Sequence, residues 1–269
     1  MSEIDDLRAE VAQLRAQLAV LTGHSPRFAQ VYPAFEDRFR GSEPEVRERL
    51  EVYVARVCAA VSTAVSTAVS TAVTAGGAGP RVLDVGPGRG EWLALLADAG
   101  IAAAGVDDNA GMVQRLRERG LDVTHADATA HLDGLPPGSL DAVTAFHVVE
   151  HLDLEALLAL LTAARRALRP GGLLVTETPN PTNLVMGACN FHIDPTHRTP
   201  IPPAQLEFLV GAVGFVEVEV VALHPKADVD LSGLRLDGVS AQASAAVAQA
   251  LQKGLFGPQD YAVIGQVPA

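Results

Sequence analysis

The sequence has few of the residues that build cross-linked or membrane-spanning proteins. Its only cysteines, Cys58 and Cys189, lie far apart in the chain, which excludes a disulfide scaffold and a cysteine-built zinc site. No run approaches the roughly 18 apolar residues of a membrane helix, and the first residues are acidic, unlike those of a secretory signal. We therefore expect a cytoplasmic protein that has no membrane partner.

Positive charge and aromatic residues are also scarce. The 20 Lys and Arg residues against 32 Asp and Glu residues give a net charge of -12, which disfavours nucleic acid as a partner because such binding depends on phosphate neutralisation. An aromatic content of 4% leaves little material for an apolar pocket. A neutral or cationic small molecule fits this charge better than an anionic partner does.

The first 79 residues predict an N-terminal helical region. Apolar residues spaced three and four apart predict a short coiled coil over 4–21, which would serve either as a homodimerisation helix or as a helix packed on its own domain. A second helix is predicted from Ser42, and the repeated Val-Ser-Thr-Ala sequence extends it as a low-complexity helix over 61–74. The remaining residues, 80–269, are predicted to form one domain.

From Arg81 onward, short apolar runs alternate with helical patterns, which predicts an α/β fold with a parallel sheet covered by helices on both faces. The predicted strands are 81–85, 101–107, 121–126, 140–146, 172–178, 215–222 and 261–267. The predicted helices are 91–99, 110–119, 153–168, 204–213 and 239–252. The helix before the last strand allows that strand, Tyr261 to Val267, to close the sheet in the antiparallel direction.

A glycine-rich turn follows the first predicted strand, in the sequence Asp84-Val-Gly86-Pro-Gly88-Arg-Gly90. Glycines let the backbone approach a ligand, and the following helix offers free N–H groups. The alternative is a tight turn that needs glycine only for packing. Asp107 ends the second strand, where a carboxylate can accept hydrogen bonds from both ribose hydroxyls.

This pattern resembles that of the class I S-adenosylmethionine-dependent methyltransferases, whose Asp-x-Gly-x-Gly-x-Gly motif is matched in full. The resemblance implies a Rossmann-like, seven-stranded, mostly parallel sheet and S-adenosylmethionine as the cofactor. It also implies that Asp107 holds the ribose, that Met112 packs on the adenine and that Asp127 binds the adenine amino group. The complete predicted cofactor-binding set is Asp84, Gly86, Gly88, Gly90, Asp107, Asp108, Met112, Asp127 and Ala128.

Histidines cluster after the fourth predicted strand and again downstream. If the residues that follow Phe146 form a helical turn, His147, Glu150 and His151 share one face. The segment is similar to the Glu-x-x-Glu-His of the metal-dependent ubiquinone-pathway O-methyltransferases and small-RNA 2′-O-methyltransferases, with His147 in place of the first Glu. The resemblance implies a catalytic divalent metal, Mg²⁺ or Mn²⁺, at His147, Glu150, His151 and His197, with His192 in reserve. The alternative is that Glu-His only shapes the cofactor pocket and that His147 or His151 is a general base.

The segments 178–184 and 194–198 look like those of bacterial polysaccharide and sugar O-methyltransferases, including enzymes of the mycobacterial methylmannose polysaccharide pathway. This resemblance implies methyl transfer to a sugar hydroxyl. The predicted substrate-binding residues are Asn180, Asn183, Asn190, Asp194 and Arg198. The alternatives are that these residues form turns, that the acceptor is a phenol or quinone, and that the chain is a non-catalytic S-adenosylmethionine-binding scaffold.

Overall fold

We describe the protein from a computed structural model, which defines residues 26–70, 81–226 and 229–269. The predicted coiled coil over 4–21 and residues 71–74 of the low-complexity helix lie outside the described residues. A homodimer formed through the N-terminal helix therefore stays a prediction. No helix in the described part of the chain is long and apolar enough to cross a membrane.

Two helices precede the sheet, α1 (Pro26–Phe39) and α2 (Glu43–Ser70). The start of α2 after Ser42 confirms the prediction. The Glu45 carboxylate accepts hydrogen bonds from the Ser42 backbone N–H (2.8 Å) and hydroxyl (2.7 Å). The first of these bonds gives the backbone N–H that precedes the helix an acceptor. The sequence analysis does not predict α1, and this helix contributes to the site described below.

The strands form one seven-stranded sheet in the order β3-β2-β1-β4-β5-β7-β6. Their bounds are β1 (Val82–Val85), β2 (Ala103–Asp107), β3 (Val123–His125), β4 (Leu140–Phe146), β5 (Leu168–Pro179), β6 (Val216–Pro225) and β7 (Pro258–Gln266). All pairs are parallel except those of β7, which runs antiparallel to both β5 and β6. The predicted fold class and the antiparallel closing strand are confirmed.

Helices cover both faces of the sheet. After β1 they are α3 (Glu91–Asp98), α4 (Ala110–Glu118), α5 (Ala128–Gly134), α6 (Leu154–Ala167), α7 (Leu184–Ala188), α8 (Pro203–Ala212) and α9 (Ala241–Leu255). Two short 3₁₀ helices span Val149–His151 and Asn190–Ile193. Apolar residues of α2 and α3 pack on one face of the sheet, and those of α6 and α8 pack on the other. Both faces of the central strands are therefore buried, as in other parallel sheets.

The strand directions bring several chain segments to one edge of the sheet. The carboxyl ends of β1, β4 and β5 lie there, as expected for parallel strands. Because β7 is antiparallel to its neighbours, the carboxyl end of β6 and the amino end of β7 lie at the same edge. Ligands of open α/β sheets bind at this edge.

Candidate functional site

The glycine-rich turn connects β1 to α3 in left-handed backbone conformations. Gly86, Gly88 and Gly90 have φ angles of 63°, 54° and 87°, a region that favours glycine. A Cβ atom on Gly90 would lie 2.5 Å from Leu121 Cδ1, and one on Gly86 would lie 2.7 Å from Val148 Cγ2. Packing therefore requires these two glycines, and Gly86 borders the segment that carries the predicted catalytic residues.

Gly88 instead faces the end of α1. A Cβ atom on Gly88 would lie 3.4 Å from Arg40 Nη1 and 3.5 Å from Glu36 Oε1. Arg40 Nη1 is 3.1 Å from Glu36 Oε1, and the Arg40 side chain is 22% exposed. Although burial lowers the pKa of Arg40, the carboxylates of Glu36 and Glu91 raise it overall. Arg40 thus places a permanent positive charge over the turn.

Asp84 and Asp107 lie beside the turn on neighbouring strands. Asp84 is 2% exposed and accepts a hydrogen bond of 2.7 Å from the Thr144 hydroxyl, while burial raises its pKa to about 7. Asp107 ends β2 and accepts a hydrogen bond of 2.7 Å from the Asn109 backbone N–H. Burial raises the pKa of Asp107 to about 7 as well.

The other predicted cofactor-binding residues lie between β2 and α4, in the first turn of α4 and at the start of α5. Met112 lies in the first turn of α4 and is 2% exposed. Asp108 follows Asp107 and is exposed, and Asp127 caps α5 by accepting a hydrogen bond of 2.8 Å from the Ala130 backbone N–H. Ala128 packs against the hydrophobic core. Their contacts with a cofactor stay predictions.

Three of the four predicted metal ligands converge at the carboxyl edge of the sheet. Ligand atoms of Glu150, His151 and His197 lie within 4.8 Å of one another; we call these residues the Glu150 cluster. The rings of His151 and His197 lie 4.8 Å apart between centroids. Glu150 Oε2 accepts a hydrogen bond of 2.9 Å from the Thr178 hydroxyl. Among the described residues, the buried Glu150 Oε1 has no hydrogen-bond partner, so it is available to a ligand.

Hydrogen bonds at Nδ1 orient both imidazoles of the Glu150 cluster. His197 Nδ1 lies 2.6 Å from the Phe191 carbonyl oxygen, which fixes a proton on Nδ1. His151 Nδ1 lies 2.9 Å from the Thr196 hydroxyl, which is itself 2.5 Å from Asp194 Oδ1. The Nε2 atoms are thereby left as acceptors, the form in which histidine binds a metal. Burial also lowers the pKa of His197, which favours the neutral ring.

His147 occupies a different position from the one that the sequence predicts. Its ligand atoms group with those of Glu177 and Asp260 rather than with His151 and His197. The physical reason is its backbone: His147 has a φ of 56°, and only residues 149–151 form a helical turn, so His147 does not share their face. Its Nδ1 still lies 3.3 Å from Glu150 Oε1. The structure therefore groups Glu150, His151 and His197 without His147, and the metal-binding role of all four residues stays a prediction.

A second group of polar residues therefore lies next to the first; we call His147, Glu177, His224 and Asp260 the Glu177 cluster. His147 Nε2 is 3.5 Å and His224 Nε2 is 3.4 Å from the same atom, Glu177 Oε1. The Tyr53 hydroxyl donates a hydrogen bond to Glu177 Oε2. Glu177, His224 and Asp260 were not among the predicted residues, although a charged residue at the end of an apolar strand was a usable signal.

Imidazoles and carboxylates of the two clusters shift each other's pKa values. Although burial lowers the pKa of His147, its contacts with Glu150 and Glu177 raise it to about 10. Burial raises the pKa of Glu150, but the contact with His147 and the neighbouring imidazoles lower it to about 2. Burial raises the pKa of Asp260 to about 6. This edge of the sheet therefore concentrates imidazoles and carboxylates.

The predicted substrate-binding asparagines Asn180 and Asn183 lie inside the loop after β5. Both are buried, at 5% and 1% exposure. Asn183 donates to the Gly257 carbonyl at 3.1 Å and caps α7, and Asn180 donates to the Pro258 carbonyl at 3.1 Å. In this conformation their side chains hold the loop against the segment that leads into β7.

Asp194 lies in the loop that also carries His197. Its Oδ2 accepts a hydrogen bond of 3.2 Å from the hydroxyl of Tyr32 in α1, so α1 contacts both the glycine-rich turn and this loop. Asn190 begins the second 3₁₀ helix and is half-buried, while His192 and Arg198 are exposed. Arg198 lies 3.3 Å from Asp153. Contacts of these residues with a substrate stay predictions.

Comparisons with known proteins agree with this architecture. Residues 56–220 match the family described as "Methyltransferase domain". A SAM-dependent methyltransferase of known crystal structure from Archaeoglobus fulgidus is 34% identical, with a TM-score of 0.73 over 87% of this chain and 99% of that one.

Curated relatives match over a shorter range. A probable S-adenosylmethionine-dependent methyltransferase of Mycolicibacterium smegmatis is 35% identical over 144 residues, 53% of this chain and 54% of that protein. A ubiquinone biosynthesis O-methyltransferase of Methylococcus capsulatus is 33% identical over 108 residues, 38% of this chain and 45% of that protein. The chain thus spans about half the length of the curated relatives it matches.

Proposed function

The chain belongs to the methyltransferase-domain family, and on this premise we propose that it transfers the methyl group of S-adenosylmethionine to a hydroxyl group of a sugar or oligosaccharide. We further propose that a divalent cation, Mg²⁺ or Mn²⁺, assists the transfer. The observation that carries the proposal is the Glu150 cluster, which borders the glycine-rich turn through the contact between Val148 and Gly86. Donor and acceptor sites would then adjoin.

The donor side offers a partner for the carboxylate, the ammonium group and the ribose of S-adenosylmethionine. Arg40 would bind the carboxylate of the methionine moiety, because a guanidinium pairs with a carboxylate through two hydrogen bonds. Asp84 lies where an acidic residue would attract the ammonium group. Asp107 would accept hydrogen bonds from the ribose hydroxyls.

The donor set of the Glu150 cluster fits a divalent cation. It combines an orphaned buried carboxylate oxygen with two imidazoles whose Nε2 atoms are free. Three protein ligands leave positions open for an acceptor, as in catalytic metal sites. A bound cation would lower the pKa of an acceptor hydroxyl and fix its direction.

The remaining chemistry is an in-line displacement. The acceptor oxygen forms a bond to the methyl carbon while the bond from that carbon to sulfur breaks, and the hydroxyl proton leaves to water. Because the sulfonium already carries a good leaving group, the main task of the chain is to align the two reactants. α1 contacts both the glycine-rich turn and the His197 loop, so it is placed to hold them in register.

A polar acceptor agrees with the surroundings of the Glu150 cluster. Imidazoles and carboxylates border it on the side of the Glu177 cluster, and these groups hydrogen-bond with hydroxyls. Phe191 is buried beneath His197, at 1% exposure. A hydroxyl-rich molecule therefore matches this edge better than an aromatic ring does.

The cation is tested by chelation and by one matched pair of variants. Methyl transfer to the acceptor should disappear with EDTA and return with Mg²⁺ or Mn²⁺. Glu150→Gln should lower kcat by at least about 100-fold because the cation loses its charged ligand, whereas Glu155→Gln, at an exposed position in α6, should retain activity. Activity that is indifferent to EDTA would refute the cation and make a histidine the general base.

A phenolic or quinone acceptor is the second candidate. The similarity to ubiquinone biosynthesis O-methyltransferases favours it. It predicts activity on catechols and no activity on sugars, a result that would leave the cofactor assignment standing.

A further inference from the structure

We propose that the Glu177 cluster is a second divalent metal site, bound by His147 Nε2, Glu177, His224 Nε2 and Asp260. Two imidazoles with two carboxylates suit Zn²⁺, Mn²⁺ or a similar transition ion. The site is separate from the Glu150 cluster and does not depend on the nature of the acceptor.

Two distances within the cluster, both to Glu177 Oε1, match the edge of a metal tetrahedron. His224 joins the group of His147, Glu177 and Asp260 through its distance to Glu177. Ligands about 2.1 Å from a tetrahedral ion lie about 3.4 Å from each other. Glu177 Oε1 lies 3.5 Å from His147 Nε2 and 3.4 Å from His224 Nε2. A ligand atom of Asp260 lies within 4.8 Å of those of His147 and Glu177.

Without an ion, His147 pairs with Glu177 as an imidazolium, and a bound metal would replace the proton on its Nε2 atom. In the described part of the chain, His224 Nε2 is buried and has no hydrogen-bond partner despite its closeness to Glu177. His147, Glu177 and Asp260 offer ligand atoms that all lie within 4.8 Å of one another, and the unpartnered His224 Nε2 would supply a fourth ligand.

The backbone is strained at both histidines. His147 and His224 have φ angles of 56° and 53°, a left-handed region that residues other than glycine seldom adopt. Such strain persists where the surrounding structure imposes it and concentrates at ligand sites. Here it turns two imidazoles from different strand ends towards Glu177.

Neighbouring residues lie where outer contacts of a metal site would be. A histidine that binds a metal usually directs its other ring N–H to a carboxylate; His147 Nδ1 lies 3.3 Å from Glu150 Oε1 and makes no hydrogen bond to it in this structure. Glu177 Oε2 accepts the Tyr53 hydroxyl, which orients the carboxylate. His147 would therefore link the two proposed cation sites, and the second ion would tie together the ends of β4, β5, β6 and β7.

The test is the metal content of the full chain. The protein is stripped with a chelator and dialysed against Zn²⁺ or Mn²⁺ alone, and the bound metal per chain is measured by plasma mass spectrometry. We expect two ions in the wild type, and one ion in His224→Ala, in Asp260→Asn and in His197→Ala. His131→Ala, in α5 and outside both clusters, should keep two. Circular dichroism verifies that each variant is folded.

The two sites fail independently in this experiment. The second site would be overturned if the wild type binds one ion, and if this ion is lost in His197→Ala but kept in His224→Ala and Asp260→Asn. The Glu177 cluster would then be a group of imidazolium and carboxylate side chains without a metal. One ion that is lost only in His224→Ala and Asp260→Asn would support the second site and refute the cation of the proposed function. No bound ion in the wild type would overturn both.

Discussion

Replacing Arg40 with methionine should weaken the binding of S-adenosylmethionine by about 10- to 150-fold. Arg40 is the cation that faces Gly88 of the glycine-rich turn. Methionine keeps most of the length of the side chain and removes its charge. The affinity loss follows from one charge-assisted interaction with the cofactor carboxylate, about 1.5 to 3 kcal/mol, since every 1.4 kcal/mol is about tenfold in Kd.

A ligand without the carboxylate separates this contact from a general disturbance of α1. Titration calorimetry should show the full loss for S-adenosylmethionine and S-adenosylhomocysteine. 5′-Methylthioadenosine, which lacks the amino-acid end, should bind the wild type and Arg40→Met with similar affinity. Arg38→Met, at an exposed position in α1, controls for the loss of a positive charge.

Two results would refute this reasoning. Unchanged affinity for S-adenosylmethionine in Arg40→Met would remove Arg40 from the cofactor site. An equal loss for 5′-methylthioadenosine would mean that Arg40 supports the pocket only through its ion pair with Glu36.

Three further predictions follow from the geometry. Gly90→Ala should lower the free energy of unfolding by about 2 to 4 kcal/mol, because the new Cβ would overlap Leu121 and the positive φ adds strain. In the control Gly100→Ala, the new Cβ meets no atom within 4 Å, so the loss measured by urea unfolding should be about 1 to 2 kcal/mol. Equal losses in the two variants would contradict this prediction. Affinity for S-adenosylmethionine should fall as the pH is lowered through about 7, because protonation of Asp107 removes a hydrogen-bond acceptor for the ribose. Asp107→Asn should bind the cofactor more weakly at high pH, and its affinity should depend less on pH. The same pH dependence in Asp107→Asn as in the wild type would argue against Asp107 as the ribose-binding residue. His151→Ala should abolish methyl transfer while the Kd for S-adenosylmethionine stays within about twofold, because His151 belongs to the acceptor side; a large loss of cofactor affinity would show that the two sites are misassigned.

The central strands of the sheet were predictable because they are short apolar runs. Val82–Val85 and Leu140–Phe146 are fully buried strands, so their sequences carry a strong signal. Strand ends were less certain: β5 begins at Leu168, four residues before the predicted start at 172, because Leu168 pairs with Leu140 beyond a register shift. Such pairing depends on the neighbouring strand and leaves no local pattern.

The missed parts of the site come from segments distant in sequence. α1 (Pro26–Phe39) was missed although Tyr32, Phe35 and Phe39 recur at helical spacing. The position of Arg40 over the turn could not be inferred, because it depends on how α1 packs against segments distant in sequence. The glycine motif was predictable because it is a local sequence feature, and Glu150 and His151 are adjacent in the sequence. His197 lies far from them in the chain and was placed with them by the resemblance to metal-dependent methyltransferases. The displacement of His147 was not predictable, since a positive φ at a histidine depends on the surrounding strand ends.

The central claim is tested most directly by measuring methyl transfer from S-adenosylmethionine to a panel of mono- and oligosaccharides, catechols and short RNAs, each with Mg²⁺, Mn²⁺ or EDTA. The account predicts a methyl ether on a sugar hydroxyl, formed with Mg²⁺ or Mn²⁺ and not with EDTA. Transfer only to catechols or RNA would contradict the assigned acceptor. No transfer to any hydroxyl by a chain that binds S-adenosylmethionine would contradict the proposed O-methyl transfer.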